Sequence, residues 1–264
     1  MLELSGIHKT FNIGTINEKK ALVDVNLKVE EGDFITVIGG NGAGKSTMLN
    51  IIAGVFSPEE GRIVIDGADV TKMPEYKRAS MVGRVFQDPM VGTAGNMNIE
   101  ENLALANRRG SRRGLRWNIK KEEREFFKEK LKMLDLNLED RLTTKVGLLS
   151  GGQRQALTLL MATLKKPKVL LLDEHTAALD PKTASKVLSL TDELTGSQNI
   201  TTIMITHNMK DAIKYGNRLI MMMGGSIIYD VKGEEKANLT VQDLLAKFEQ
   251  NSGGDFANDR MLLS

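Results

Sequence analysis

Residues 39–47 of the chain read GGNGAGKST and fit the pattern G-x-x-x-x-G-K-[ST]. The preceding segment FITVIGG predicts a strand, and the following segment KSTMLNIIAG predicts a short helix that ends at Gly54. Glycines let backbone N–H groups converge on phosphate oxygens, and a helix N-terminus attracts the same anion. A plain turn would need neither Lys45 nor Ser46, so we interpret this segment as a phosphate-binding loop, the P-loop.

The P-loop predicts ATP and Mg²⁺ as ligands. Lys45 can reach the β- and γ-phosphates, and the Ser46 hydroxyl can coordinate Mg²⁺. We expect the whole loop to bind the nucleotide, through Gly39, Gly40, Asn41, Gly42, Ala43, Gly44, Lys45, Ser46 and Thr47.

A second strand, KVLLLDE at residues 168–174, ends in two carboxylates. Ligands of open α/β sheets bind at the carboxyl ends of parallel strands. We therefore expect Asp173 to help hold Mg²⁺ indirectly, and Glu174 to act on the attacking water as general base or to position it. A strand that merely ends in polar residues is the alternative, and it is weaker downstream of a P-loop.

The order of the predicted elements indicates the fold class. Strands are predicted in the first 38 residues, and segments of helical periodicity fill the middle of the chain. Strands and helices then alternate, which indicates a parallel sheet with crossover helices. The prediction is an α/β P-loop NTPase core with a mostly parallel sheet, an N-terminal antiparallel β subdomain and an inserted α-helical subdomain. It comprises one domain at 1–250, with core segments 1–88 and 167–250 and helical subdomain 89–166, and a flexible tail at 251–264.

Residues 149–157 read LSGGQRQAL and place a serine and two glycines directly before an apolar helix. Exposed N–H groups at such a helix start can bind a second anion. Two facing copies could each close Ser150, Gly151, Gly152 and Gln153 over the nucleotide of the other, through a two-fold interface. An ordinary serine cap with a glycine turn is the alternative. It would explain the serine, but not the second glycine or the QRQ run.

The chain resembles the ATP-binding cassette (ABC) ATPase family in six motifs, which in order read GGNGAGKST, VFQDP, LSGGQRQAL, VLLLDE, AALD and ITHN. The resemblance covers residues 1–250. It implies an ATP-hydrolysing subunit that forms a homodimer around two ATP molecules and drives a separate membrane permease from the cytoplasmic face of the cell membrane. The runs DEHTAALDP and NEKKAL also resemble ATPases of bacterial amino-acid-type importers, which work with a solute-binding protein.

The resemblance implies roles for four further residues. Gln87 would touch Mg²⁺ and the attacking water, and His207 would contact the γ-phosphate. Asp180 would link the two sites across the dimer, and Phe11 would stack on adenine. Each role has a simpler alternative: a surface glutamine, a histidine without a special task, a helix cap before a proline, and a core aromatic residue.

Two positions depart from the family pattern. His175 follows Glu174 where a proline is usual, and its imidazole either titrates near that carboxylate or points away from it. Gly40 stands where a proline is frequent, and this change leaves the glycines of the turn in place.

Composition and charge limit the other possibilities. The chain has no cysteine, which excludes disulfides and cysteine zinc sites, and no apolar run reaches the roughly 18 residues of a membrane helix. A net charge of +2 argues against a dedicated nucleic-acid binder, so we expect no nucleic-acid partner. The basic run RRGSRRGLRW within residues 108–117 is either a solvated surface or a contact for lipid headgroups or a permease. We expect residues 88–116 to contact the permease.

The main alternative function is a soluble ABC-type ATPase that acts on DNA or ribosomes. Such a chain would show a long coiled-coil insertion, zinc-binding cysteines or two cassettes, and none of these is present in the sequence. A P-loop kinase or GTPase is a weaker alternative, because LSGGQ has no task in it.

Overall fold

The structure is a computed structural model, and it describes residues 1–111 and 119–251. Its strands are β1 (Leu2–Phe11), β2 (Lys19–Val29), β3 (Phe34–Ile38), β4 (Glu60–Ile65), β5 (Ala68–Asp69), β6 (Val82–Val85), β7 (Val169–Asp173), β8 (Thr201–Ile205), β9 (Arg218–Met223) and β10 (Ser226–Lys232). Its helices are α1 (Lys45–Ala53), α2 (Glu75–Arg78), α3 (Ile99–Asn107), α4 (Lys121–Lys132), α5 (Gly151–Thr163), α6 (Pro181–Ser197), α7 (Met209–Lys214), α8 (Glu234–Ala237) and α9 (Val241–Asn251).

Two sheets organise the described residues. The first is antiparallel, with the strand order β2-β1-β4-β5. The second has the order β10-β9-β3-β8-β7-β6, and all of its neighbours are parallel except β10 and β9. Strands β3 and β8 are buried along their whole length, as expected where helices cover both faces of a parallel sheet. The predicted fold class is confirmed.

Three neighbouring strands of the second sheet bring the candidate site residues together. Strands β3, β8 and β7 are adjacent and parallel, and their register pairs Val37 with Ile205 and Ile205 with Asp173. The P-loop leaves β3 at this edge, the two carboxylates end β7, and His207 follows β8. The carboxyl edge of the sheet is therefore where the chain concentrates its polar and glycine-rich segments.

Helices α3, α4 and α5 lie between β6 and β7, in the region predicted to be helical. One prediction within it needs correction. The sequence predicts that both glycines of LSGGQRQAL precede the helix, but Gly151 and Gly152 are the first two residues of α5. A short 3₁₀ turn at Val146–Leu148 is separated from α5 by Leu149 and Ser150 in extended conformation. This break allows the Ser150 side chain to cap α5.

Parts of two predicted segments lie outside the described residues. These parts are residues 112–117 of the basic run and residues 252–264 of the predicted tail. The tail prediction starts at residue 251, which is the last residue of α9. Among the described residues, none of the helices combines the length and the apolar character that crossing a membrane requires.

Candidate functional site

The P-loop backbone has a conformation that glycine allows and other residues resist. Gly39, Gly42 and Gly44 have φ values of 155°, 77° and 100°. A Cβ atom on Gly44 would also overlap the carbonyl oxygen of Ala21 on β2. The GxxxxGK pattern therefore reflects both the backbone turn and the close approach of the neighbouring sheet.

Lys45 is the first residue of α1 and is 5% exposed. Its ammonium donates hydrogen bonds to the backbone oxygens of Gly39 at 2.6 Å and Gly40 at 3.0 Å. The cation thus lies inside the turn of the P-loop, at the N-terminus of α1, where an anion would be stabilised by both charge and dipole.

Ser46 and Asp173 meet across the gap between α1 and β7. The Ser46 hydroxyl donates to Asp173 Oδ1 at 3.1 Å, and Arg84 Nη2 on β6 lies 3.7 Å from Asp173 Oδ2. Burial raises the pKa of the Asp173 carboxyl, while the Ser46 hydrogen bond and the Arg84 charge oppose this rise. A hydroxyl and a carboxylate are hard oxygen donors, so the pair fits Mg²⁺ held jointly with phosphate oxygens.

Magnesium sites of this kind need few protein ligands. In the ranges 1–111 and 119–251, no group of three or more His, Cys, Asp and Glu side chains is placed to hold a metal ion. Mg²⁺ commonly keeps several waters and takes one or two carboxylates together with substrate phosphates. The residues present therefore fit a metal that arrives with a nucleotide.

Glu174 and His207 form a short hydrogen bond at the carboxyl edge of the sheet. His207 Nε2 lies 2.6 Å from Glu174 Oε1, and the two side chains are 30% and 15% exposed. Glu174 has a φ of 47°, an uncommon backbone conformation for a residue with a side chain. The hydrogen bond from His207 lowers the pKa of the Glu174 carboxyl, although burial opposes it. The carboxylate is thereby kept ionised and able to accept a proton.

An open cleft lies between the P-loop and the first sheet. It is lined by Phe11, Lys19, Ala21, Asn41, Gly42, Ala43, Gly44, Lys45, Ser46, Thr47 and Glu174. Phe11 packs edge-on against Phe56 with ring centroids 5.2 Å apart, and Lys9 Nζ lies 5.5 Å from the Phe11 ring centre. The cleft thus joins an aromatic ring, the phosphate loop and one of the two carboxylates.

His175 faces the protein interior, although it directly follows Glu174. The side chain is 2% exposed, and its Nε2 lies 3.1 Å from the Thr191 hydroxyl on α6. That hydroxyl donates its hydrogen to the Val187 backbone oxygen at 2.8 Å, so His175 Nε2 carries the proton and donates. Burial lowers the pKa of His175 to about 4. The histidine is a neutral core residue rather than a partner of the adjacent carboxylate.

Gln87 and Asp180 lie outside the cleft within the described part of the chain. Gln87 is exposed two residues after β6, and Gln155 on α5 donates to the backbone oxygen of the preceding Phe86 at 3.3 Å. Asp180 caps α6 by accepting a hydrogen bond from the Thr183 backbone N–H at 3.0 Å. Asp180 therefore caps a helix, as the simpler of its two interpretations predicts. A role at a dimer interface would be in addition to this.

The start of α5 is a capping box. The Ser150 hydroxyl accepts from the Gln153 backbone N–H at 3.3 Å, and the Gln153 side chain accepts from the Ser150 N–H at 3.2 Å. Gly152 is buried against α6, and a Cβ atom there would overlap the Thr183 side chain.

These contacts correct one inference from the sequence. The second glycine and the QRQ run do have tasks within a single chain: Gly152 packs closely, Gln153 caps, Arg154 donates to three backbone oxygens, and Gln155 holds the Gln87 loop. Gly151 differs, because it is exposed and a Cβ atom there would meet only Leu179, at 3.4 Å. Contacts within the single chain therefore explain the glycine at position 152 better than the glycine at position 151.

Sequence reasoning missed two cations at the site. Arg84, whose side chain is 13% exposed, lies beside Asp173, and Lys19 lines the cleft beside Phe11, its partner in the pairing of β1 and β2. The only sequence signal for Lys19 is its place at the start of the strand that pairs with the one ending in Phe11. The position of Arg84 depends on the pairing of β6 with β7, which the chain order alone does not define.

The chain is similar to known proteins over most of its length. A family model described as ABC transporter matches residues 22–177. A tyrosine transport ATP-binding protein of Clostridioides difficile is 45% identical, and the match covers 94% of this chain and 99% of that protein. An energy-coupling factor transporter ATP-binding protein of Clostridium tetani is 35% identical over 81% of this chain and 72% of that protein. A solved dimeric ATP-binding cassette, in a post-hydrolysis state with ADP and Pi, is 32% identical with a TM-score of 0.75, covering 88% of this chain and 98% of that one.

Proposed function

The chain belongs to the ABC transporter family and is an ATP-binding, ATP-hydrolysing transporter subunit, and from this premise we propose how its own residues perform the reaction. The pair of Glu174 and His207, 2.6 Å apart beside the P-loop, carries the proposal. Glu174 accepts the proton of the attacking water, and His207 orients that carboxylate and contacts the γ-phosphate. The His207 hydrogen bond lowers the pKa of Glu174, so the carboxylate carries no proton before the reaction, as a base requires.

The P-loop binds the phosphates in this proposal. Backbone N–H groups of residues 39–47 surround the phosphate tail, and Phe11 stacks on adenine at the far end of the cleft. An incoming phosphate competes with the backbone oxygens of Gly39 and Gly40 for the Lys45 ammonium. This exchange replaces contacts to neutral oxygens by contacts to charged ones, which are stronger.

Magnesium fits the same site. Ser46 would coordinate the ion and Asp173 would hold it indirectly, with Gln87 approaching from the loop after β6. When bound, the ion neutralises phosphate charge during transfer. Arg84 keeps Asp173 in place by its charge.

A homodimer completes the site in this proposal. Gly151, Gly152, Ser150 and Gln153 of one copy face the nucleotide held by the P-loop of the other, and Asp180 links the two sites. The exposure of Gly151 at the N-terminus of α5 supports this arrangement. The dimeric state of the solved relative supports it as well.

We place the permease contact at residues 88–116, on the cytoplasmic face of the cell membrane. Met90 and Val91 are 45% and 65% exposed on the loop after Gln87 and supply apolar surface for a partner. The hydrogen bond from Gln155 to Phe86 ties this loop to α5, so we expect the two elements to move together. Residues 112–116 of this contact lie outside the described residues.

The transported solute is an amino acid in this proposal, and tyrosine is the first candidate. Support comes from the 45% identical relative, whose name specifies tyrosine transport and which the chain matches over nearly its full length. A solute-binding protein would deliver the solute for import. The relatives reported above are transporter ATP-binding proteins, which favours transport over action on DNA or ribosomes.

Glu174→Gln tests the proposal. Loss of the base should lower ATP turnover by about a hundredfold or more, because an amide cannot accept the proton. Nucleotide binding should persist, and uptake of labelled tyrosine in cells that depend on this chain should stop. Glu193→Gln, on the exposed surface of α6, is the matched control and should leave both measurements unchanged. Normal turnover in Glu174→Gln would refute the assignment of the base.

A further inference from the structure

We propose that Lys19 is a second cationic contact for the phosphate tail of the nucleotide, in addition to Lys45. The inference rests on the proposed function, because it assumes that the P-loop holds ATP or ADP. It assigns a binding task to a residue on the first sheet, opposite the P-loop rather than within it.

The pairing of β1 and β2 places Lys19 beside Phe11. The two residues are directly opposite each other in the antiparallel register, and opposite residues project from the same face of a sheet. Both side chains line the cleft. The strand pair therefore presents an aromatic ring and an ammonium group side by side to whatever occupies the cleft.

The Lys19 ammonium lies over the turn of the P-loop. A Cβ atom on Gly42 would be 2.9 Å from Lys19 Nζ, so the missing side chain of Gly42 leaves the space that the ammonium occupies. Gly42 lies in the middle of the loop whose N–H groups converge on phosphate. The Lys19 ammonium is thus placed toward the phosphate end of the cleft, and the Phe11 ring remains available to stack on the adenine.

The charges around the cleft distinguish Lys19 from its neighbours. Lys45 is already hydrogen-bonded to two loop oxygens, and Lys9 pairs with Glu59 at 2.6 Å. Within residues 1–111 and 119–251, the side chain of Lys19 makes no ion pair and no hydrogen bond, although its backbone pairs with Phe11 in the sheet. An uncompensated ammonium beside converging backbone N–H groups raises the local positive potential. A polyphosphate relieves that repulsion and gains a charged contact.

Lys19→Gln tests the inference against Lys20→Gln as the matched control. Lys20 carries the same charge on the next residue of β2, and it does not line the cleft. Titration calorimetry with ADP and with the β,γ-imido analogue of ATP measures the affinity of the wild type and both variants. Lys19→Gln should weaken both ligands about three- to tenfold, Lys19→Arg should largely restore them, and Lys20→Gln should change neither. Thermal melting of each free variant shows that the chain is folded.

Salt and adenosine identify the part of the ligand that is contacted. The difference between wild type and Lys19→Gln should shrink as salt is raised, because an exposed charge contact is screened. Adenosine has no phosphate, so its dissociation constant, obtained by competition, should be the same in wild type and Lys19→Gln. Equal affinities in Lys19→Gln and Lys20→Gln, or an equal loss for adenosine, would overturn the inference. Failure of the wild type to bind any of these nucleotides would instead refute the proposed function.

Discussion

Two adjacent residues at the end of β7 face opposite environments. Glu174 has a left-handed backbone conformation and turns its carboxylate toward His207 and the cleft. His175 turns into the core, where it donates to the Thr191 hydroxyl. The pKa of the first side chain is lowered by a hydrogen bond that favours its ionised form, while the next side chain is kept neutral by burial.

The neutral state of His175 predicts acid sensitivity of the fold. Its pKa is about 4 in the folded chain, against 6.5 for the free side chain. Between these pH values the unfolded chain binds more protons, so the free energy of unfolding falls as the pH falls. His175→Gln keeps a donor for Thr191 and removes the titration. Urea unfolding from about pH 7 to about pH 5 should show a smaller loss of stability in the variant, by about 2 kcal/mol.

Every other group that titrates in this range is common to both proteins, so the comparison isolates the His175 imidazole. Thr191→Val removes the hydrogen-bond partner and leaves His175 buried, and it serves as the control. This variant should be less stable at both pH values and should keep the pH dependence of the wild type. Parallel stability curves for wild type and His175→Gln would contradict the buried neutral state.

At the level of elements, the contact between α5 and α6 is set by one glycine. The N-terminal turn of α5 packs against α6 at Gly152, where a Cβ atom would overlap the Thr183 methyl group. Thr183 is β-branched, and its backbone N–H is already held by Asp180. The Thr183 methyl group therefore has little freedom to move away. Helices α5 and α6 can pack this closely because residue 152 has no side chain.

Gly152→Ala should destabilise the free chain by about 1–3 kcal/mol, although alanine favours helices, because the overlap outweighs the gain in propensity. Thr183→Ser removes the methyl group and should recover most of the loss in the double variant. Gly151→Ala is the matched control, since its Cβ atom would be 3.4 Å from Leu179 and should fit. Denaturant unfolding of the four variants measures this coupling. A double variant no better than Gly152→Ala would contradict the close-packing explanation.

Helices and strands with a clear hydrophobic periodicity can be predicted from the sequence. Those stabilised by contacts with residues far away in the chain cannot. The alternation in LELSGIHKTF predicts β1 with both of its ends, and the apolar runs before the P-loop and before Glu174 predict β3 and β7. Helix α2 is too short for a period to appear. Its Arg78 is buried and donates to the backbone oxygens of Ile51 and Ile52 at the end of α1. A charged residue in a short polar stretch gives no sequence signal for such a contact.

The candidate site likewise contains residues that the sequence predicts and residues that it does not. The G-x-x-x-x-G-K-[ST] pattern predicts the P-loop, and the end of an apolar strand predicts Asp173 and Glu174 at the carboxyl edge of the sheet. The role of His207 is implied by the resemblance to ABC ATPases. Lys19 depends on the pairing register of β1 and β2, and this register is not readable before the strands are paired.

At the scale of the whole molecule, the P-loop and the start of α5 belong to different surfaces of one chain. The cleft residues are on the P-loop, β1, β2 and the end of β7, whereas Ser150 and Gln153 line another cavity with Leu136, Lys182 and Val187. In the described part of the chain, no residue lines both cavities. A nucleotide can contact both elements if two chains face each other, with the P-loop of one opposite the α5 N-terminus of the other.

Mixing two inactive variants should therefore restore activity. Lys45→Ala removes the lysine proposed to bind phosphate, and Gly151→Asp places a negative charge where the proposal puts the phosphate of the partner. Aspartate at a helix N-terminus is favourable within the single chain, so this variant should fold normally. Each protein alone should neither dimerise with ATP nor hydrolyse it. A mixed dimer contains one intact site, made by the P-loop of the Gly151→Asp chain and Gly151 of the Lys45→Ala chain. Light scattering and ATP turnover of the mixture should exceed the sum of the separate proteins. A mixture that only equals this sum in both light scattering and turnover would contradict a site shared between two chains.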